Sequence, residues 1–204
     1  MTEGKVRNQQ DTLNTGPPRM LHHTAYVTHD VSATVDFYTR VLRMKLISSV
    51  IDDAIPSTGD PFPYIHLFFE MADGSTIAFF ESLDLPPAPA PSHPAYDIFN
   101  HLALDAGSVE AVDGWARHLT AEGIDYIGPV KHGIIYSIYF RDPNGLRLEL
   151  TADVVPEWKL HGAQAAEDVA KWQELKERSA KEGSSDSAVA WIKERRLSRP
   201  GAHH

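Results

Sequence analysis

His23, His101 and Glu149 raise the first chemical question. Each stands in a stretch of mixed apolar and polar residues that reads as a strand: "LHHTAYVTH", "NHLALDA" and "LRLELTA". Strands send successive side chains to opposite faces, so each of the three belongs to a defined face of a sheet. His23 and His101 are 78 residues apart, and at that offset Ala25 meets Ala103, Val31 meets Val109, Phe37 meets Trp115 and Leu46 meets Ile124. Two repeat-equivalent imidazoles and one carboxylate form a 2-His-1-carboxylate set. Such a set leaves positions open on a non-haem Fe(II) for a substrate and for O2. Glu149 would then be buried between Leu148 and Leu150 because a cation neutralises it, an unpaired buried carboxylate being costly. The plainer alternative is that the histidines are hydrogen-bonded core residues and that Glu149 turns to solvent. The equivalent places of the two histidines favour the metal.

Composition narrows the field further. With no cysteine in 204 residues, disulfides and thiolate metal sites are excluded, and any metal must use His, Asp, Glu or backbone oxygen. The formal net charge of -9 argues against nucleic acid as a partner. No apolar run approaches the roughly 20 residues that span a bilayer, and the N-terminus has no apolar core of a signal peptide. The expectation is a cytoplasmic protein without membrane contact. The terminal "GAHH" reads as a tag remnant, so His203 and His204 are set aside.

The elements that must position the three residues follow the repeat. Residues 1-19 are polar, contain Gly16-Pro17-Pro18 and read as a flexible arm. A first βαβββ module spans 20-83. Its helix, "DVSATVDFYTRVLRM", places Val31, Val35, Tyr38 and Leu42 on one stripe, with Asp30 as N-cap. "KLISSVI", "YIHLFFEM" and "STIAFFES" are its later strands, with a long loop over Asp52–Pro63 and a hairpin at Ala72-Asp73-Gly74. Residues 84-98 hold five prolines and read as a stiff connector, neither helix nor inner strand. A second module spans 99-153, with the helix "SVEAVDGWARHLTAEG" and a turn at Asp142-Pro143-Asn144-Gly145. Residues 154-204 form a helical extension. The fold class is α+β, two paired βαβββ modules produced by duplication.

These stretches resemble the vicinal oxygen chelate superfamily, which includes glyoxalases, bleomycin-resistance proteins and extradiol dioxygenases. "HHTAYVTHDVSATVDFYTRVLRMKL" is similar to its opening strand and helix, and "YFRDPNGLRLEL" to its closing hairpin. The run from Val130 through His132, Ile138-Tyr139, Asp142-Pro143 and Gly145 to Glu149 resembles type I extradiol ring-cleaving dioxygenases most. The resemblance implies that His23, His101 and Glu149 are iron ligands. It implies that Tyr139 hydrogen-bonds a catecholate oxygen or the bound oxygen species, and that His132 stands near the substrate. The implied function is Fe(II)-dependent extradiol cleavage of a catechol, such as a biphenyl-2,3-diol, with O2. The partners would be a small aromatic and O2, and the assembly a homodimer or larger homo-oligomer. Alternatives within the group are a lyase or isomerase using Mn, Ni, Co or Zn, and a metal-free drug-binding protein.

Two departures from the pattern matter. Glyoxalases carry a fourth ligand, a Glu, in the first module's last strand. Here the position four after Gly74 is Ala78, and Glu81 has the opposite facing. Dioxygenases place an acid-base histidine in the first module's last hairpin, whereas this chain has Gly74-Ser75-Thr76. His66, which shares a face with Tyr64 and Phe68, is the nearest substitute, and His93 a second. His22 is expected to face away from His23. His29, His118 and His161 are expected to be solvated.

Overall fold

The computed structural model describes residues 16–197, so most of the N-terminal arm and the terminal histidines lie outside the described residues. Eight strands form two four-stranded mixed sheets, with the same strand order in each. The chain divides into two compact units. Of the described residues, one holds 16–28 with Arg43–Leu85, the other His29–Leu42 with 86–197.

The first unit contains β1 (His23–Val27), β2 (Lys45–Ala54), β3 (Pro61–Glu70) and β4 (Thr76–Glu81) in the order β1-β4-β3-β2. β1 runs parallel to β4 and the other pairs are antiparallel. Leu67, Phe69, Ile77 and Phe79 point to the buried side. The β2–β3 strands extend into the segment read as a long loop: Asp52 pairs with Tyr64 and Ala54 with Pro61, leaving a short turn. Pro61 and Pro63 are tolerated because β4 joins β3 only from Ile65 onward, so no ladder hydrogen bond toward β4 is forfeited.

The second unit contains β5 (Leu102–Asp105), β6 (Tyr126–Lys131), β7 (Ile135–Arg141) and β8 (Arg147–Asp153) in the order β5-β8-β7-β6. The registers of the two sheets correspond. Ala25 pairs with Ala78 in the first and Ala103 with Glu149 in the second, so Ala78 occupies the repeat-equivalent place of Glu149. On the back of this sheet Leu104, Ile138, Phe140, Leu148, Leu150 and Ala152 are buried. They form a core with Val112, Ala116 and Leu119 of α3 (Val109–Ala121), whose N-cap Ser108 accepts from the Ala111 amide.

The helix that follows β1 in sequence, α1 (Val31–Asp36, widening to a π-type turn over Phe37–Val41), also packs within this second unit. Tyr38 donates to Asp142 at 3.2 Å and Asn144 donates to the Thr34 hydroxyl at 3.1 Å. His118 is not solvated as its place on α3 suggested. It is half-buried, and its Nε2 lies 2.9 Å from the Val41 carbonyl, capping the end of the π turn.

The proline-rich connector also departs from expectation, since a short helix, α2 (Pro94–Phe99), closes it. Proline is compatible with a first helical turn, where its missing N–H has no partner to lose. His93 caps that turn by accepting from the Ala95 amide at 3.1 Å. The chain ends in a 3-10 turn (Pro156–Leu160), α4 (Gly162–Glu182) and α5 (Asp186–Leu197). Among the described residues no helix is long and apolar enough to cross a membrane.

Candidate metal centre

The front of the second sheet is as polar as its back is apolar. Alternation puts Arg147, Glu149 and Thr151 of β8 on the front, beside Tyr139 and Ser137 of β7. Leu148, Glu149 and Leu150 are all buried, so β8 is covered on both faces and Glu149 is 2% exposed. The solvent-facing reading of this carboxylate is thereby removed.

Three side chains meet Glu149. The His101 Nε2 lies 2.9 Å from its Oε2. The Tyr139 hydroxyl donates to its Oε1 at 3.0 Å, and the same hydroxyl lies 2.9 Å from the His132 Nε2. His101 is held from behind: its Nδ1 is 3.0 Å from the Phe99 carbonyl. A carbonyl only accepts, so Nδ1 carries a proton and Nε2 is the nitrogen turned toward the carboxylate. A ring nitrogen and a carboxylate oxygen at that separation call for a cation between them, either a proton or a metal ion. A ligating histidine tied to a backbone carbonyl through its other nitrogen is the usual arrangement around a metal. His101 and Glu149 therefore fit as ligands to a divalent ion.

Burial, with the adjacent Glu149 charge and hydrogen bond adding to it, pushes the Tyr139 phenol up to about 12. Tyr139 is thus a proton donor at neutral pH, not a phenolate.

His23 belongs to the first unit, on the face of its sheet that carries His66 and Phe68, with ring centroids 6.3 and 6.0 Å away. His23 is exposed, and His22 does not face away from it: the two Nδ1 atoms are 2.8 Å apart. His66 is stacked on Phe80 at 3.6 Å, and its buried Nε2 has no hydrogen-bond partner. Burial first, and the nearby His23 second, hold its imidazole below the usual histidine range. Among the described residues, no three His, Asp or Glu side chains are gathered so that they could hold a metal ion. The His101–Glu149 pair lies in the second unit, and His23, with His66 beside it, in the first.

Arg147 escaped the sequence reading. Its guanidinium lies over the Tyr139 ring, 4.5 Å from the centroid. The signal was present, since Arg147 stands two residues before Glu149 and so on the same face.

The family model of the Glyoxalase/Bleomycin resistance protein/Dioxygenase superfamily matches residues 20–150. The chain belongs to this superfamily. It is similar to the Bacillus subtilis (strain 168) protein named "Putative ring-cleaving dioxygenase MhqA", 29% identical over 136 residues, which are 65% of this chain and 40% of that protein. The chain thus spans well under half the length of that curated relative. A superfamily domain from Frankia sp. EAN1pec is similar in structure, with a TM-score of 0.53 and 17% identity, covering 66% of this chain and 97% of the other, which speaks to the fold alone. The fosfomycin resistance protein FosX of Listeria monocytogenes aligns with a TM-score of 0.48 at 24% identity, over 68% of this chain and 96% of its own.

Proposed function

We propose that this superfamily member is a divalent-metal enzyme, and that its reaction is extradiol cleavage of a small dihydroxylated aromatic by O2. The observation that carries the reading is the buried Glu149 carboxylate facing the Nε2 of His101 at 2.9 Å, with a phenol held protonated beside the carboxylate. The ligand set proposed is His23, His101 and Glu149, and the metal Fe(II), with Mn, Ni, Co and Zn as the alternatives to be compared. A bound Fe(II) would supply the positive charge and the redox capacity that ring opening by O2 requires. The absence of a carboxylate at Ala78 supports an oxygen-using site, because three protein ligands leave more positions open than four. The name of the Bacillus subtilis relative points the same way.

The side chains have distinct tasks. Glu149 and His101 are fixed in place, Glu149 by the Tyr139 hydroxyl on the paired strand and His101 by the Phe99 carbonyl at the end of α2. The Tyr139 hydroxyl has one proton and two acceptors within reach, Glu149 Oε1 and His132 Nε2. Where its proton is given to Glu149 the hydroxyl accepts from the His132 Nε2–H; where His132 Nε2 is unprotonated the O–H turns to it, and in that state a phenolic proton of the substrate can pass through Tyr139 to His132. His132 is exposed and passes that proton to solvent. His66, beside His23, is proposed as the acid-base histidine in place of the one missing from the hairpin. Overall, the bond between a hydroxyl-bearing carbon and its neighbour breaks, both oxygen atoms enter the product, and no outside reductant is consumed. A homodimer acting on a small aromatic in the cytoplasm is the proposed setting.

The test is anaerobic loading with Fe(II), addition of a catechol panel, and admission of air. Stoichiometric O2 uptake with a yellow ring-opened product is expected. No uptake with iron bound would remove ring cleavage and move a metal-dependent lyase or isomerase to first place.

A further inference from the structure

We propose that Arg147 is the seat of a carboxylate on the aromatic substrate. The inference rests on the ring-cleavage reading for the diol part of that substrate, but the anion seat itself does not. A cavity of about 410 Å³ opens on the front of the second sheet, walled by Tyr126, Ile127, Tyr139 and Arg147. Its size suits a small ligand, and its walls combine aromatic and apolar surface with a few charged side chains. Tyr139 belongs to both places. Its hydroxyl touches Glu149, and its ring is part of the cavity wall.

Two arginines stand at this cavity, and only one is committed. Arg141 forms a bidentate pair with Asp97, at 2.6 and 3.1 Å, and also donates to the Gly145 carbonyl at 2.6 Å. Arg147 is its direct cross-strand partner, so two cations face each other on one pair of strands. Like charges directly opposite repel. Asp97 relieves that repulsion for Arg141, while among the described residues no carboxylate pairs with Arg147. The Nε of Arg147 is buried and has no acceptor, and its guanidinium lies over the Tyr139 ring. Asp125, on the cavity lining, is exposed and makes no ion pair with it. A guanidinium held over an aromatic ring, with a buried donor unspent, matches the fork geometry of a carboxylate. One uncompensated positive charge matches one negative charge, which favours a carboxylate over a doubly charged phosphate.

The test uses the full chain loaded anaerobically with Fe(II). Calorimetry compares 3,4-dihydroxybenzoate with 4-methylcatechol, and 2,3-dihydroxybenzoate with 3-methylcatechol. The wild type is expected to bind at least one acid about tenfold or more tightly than its methyl counterpart, a typical worth of a charge-assisted hydrogen bond. The preference should shrink with added salt. Arg147→Gln should erase it and Arg147→Lys should retain part. Equal affinities within both pairs in the wild type, binding of neither acid, or a preference that survives in Arg147→Gln would overturn the proposal. A variant that weakens acid and methyl compound alike would also overturn it, and would make Arg147 a positioning residue for Tyr139. Should Arg147→Gln fail to fold, the wild-type pairs and Arg147→Lys still decide. An acid preference without O2 uptake would leave the anchor standing and remove ring cleavage; O2 uptake with 4-methylcatechol but no acid preference would do the reverse.

Discussion

The Tyr139 hydroxyl sits between Glu149 Oε1, at 3.0 Å, and His132 Nε2, at 2.9 Å. A buried carboxylate is thereby linked to an exposed imidazole through one protonated phenol. The phenylalanine variant isolates this link, since the ring stays and the hydroxyl leaves. Tyr139→Phe is expected to keep its metal and to slow turnover by about a hundredfold, the low end of what a positioned proton donor contributes. Rapid-mixing kinetics and metal analysis on the same sample check it. An ultraviolet titration of wild type against Tyr139→Phe should also assign one phenol that ionises only near pH 12.

Removing the partner of Glu149 should be costly even without metal. In His101→Ala the buried carboxylate loses its Nε2 neighbour and keeps only the Tyr139 hydroxyl. A loss of about 1–3 kcal/mol in the metal-free protein is expected, read by denaturant unfolding. The double variant His101→Ala/Glu149→Gln should recover part of that loss, because the uncompensated charge is gone. Both variants should purify with far less iron than wild type.

Asp142 carries a pH signature. It accepts from the Tyr38 hydroxyl, the Asn144 side chain and the amides of Asn144 and Leu146, yet burial outweighs these bonds and raises its carboxyl above the ordinary range. A raised carboxyl holds its proton longer in the folded chain than in the unfolded one. Its stabilising contribution is full below the unfolded value and is lost as pH rises through the folded value. The stability of wild type minus that of Asp142→Asn should therefore fall with rising pH across the upper carboxylate range. Unfolding curves of both proteins at several acid pH values measure it.

Gly128 is required by geometry at the irregularity where β6 shifts register between Ile127 and Val130. Its φ is +116°, and a Cβ there would stand 2.8 Å from the Ser137 carbonyl oxygen on the paired strand. Gly128→Ala combines a disfavoured backbone with a clash against the main chain, and is expected to destabilise by about 2–4 kcal/mol. A thermal melt tests this. An unchanged melting temperature would mean that the bulge rearranges freely.

What the sequence determined by itself was the set of elements and their order. Alternation, helical stripes and the Asp73-Gly74 and Asn144-Gly145 turns are local features, and the offset of 78 between His23 and His101 exposed the repeat. The hairpin offset of 71, from Gly74 to Gly145, put Ala78 in the place of Glu149, and the strand registers agree. Tertiary structure alone decided the rest, because pairing and burial depend on residues far apart in the chain. Only the covering of β8 on both faces turned Glu149 inward. Only the packing of α1 within the second unit gave Tyr38 its bond to Asp142 and His118 its bond to the Val41 carbonyl. Only pairing with Tyr64 and Pro61 drew the presumed loop after Asp52 into strands. Arg147 is the sharpest case. Its place two residues before Glu149 put it on the same face, but only the fold shows that Arg141, directly across the sheet, has taken Asp97.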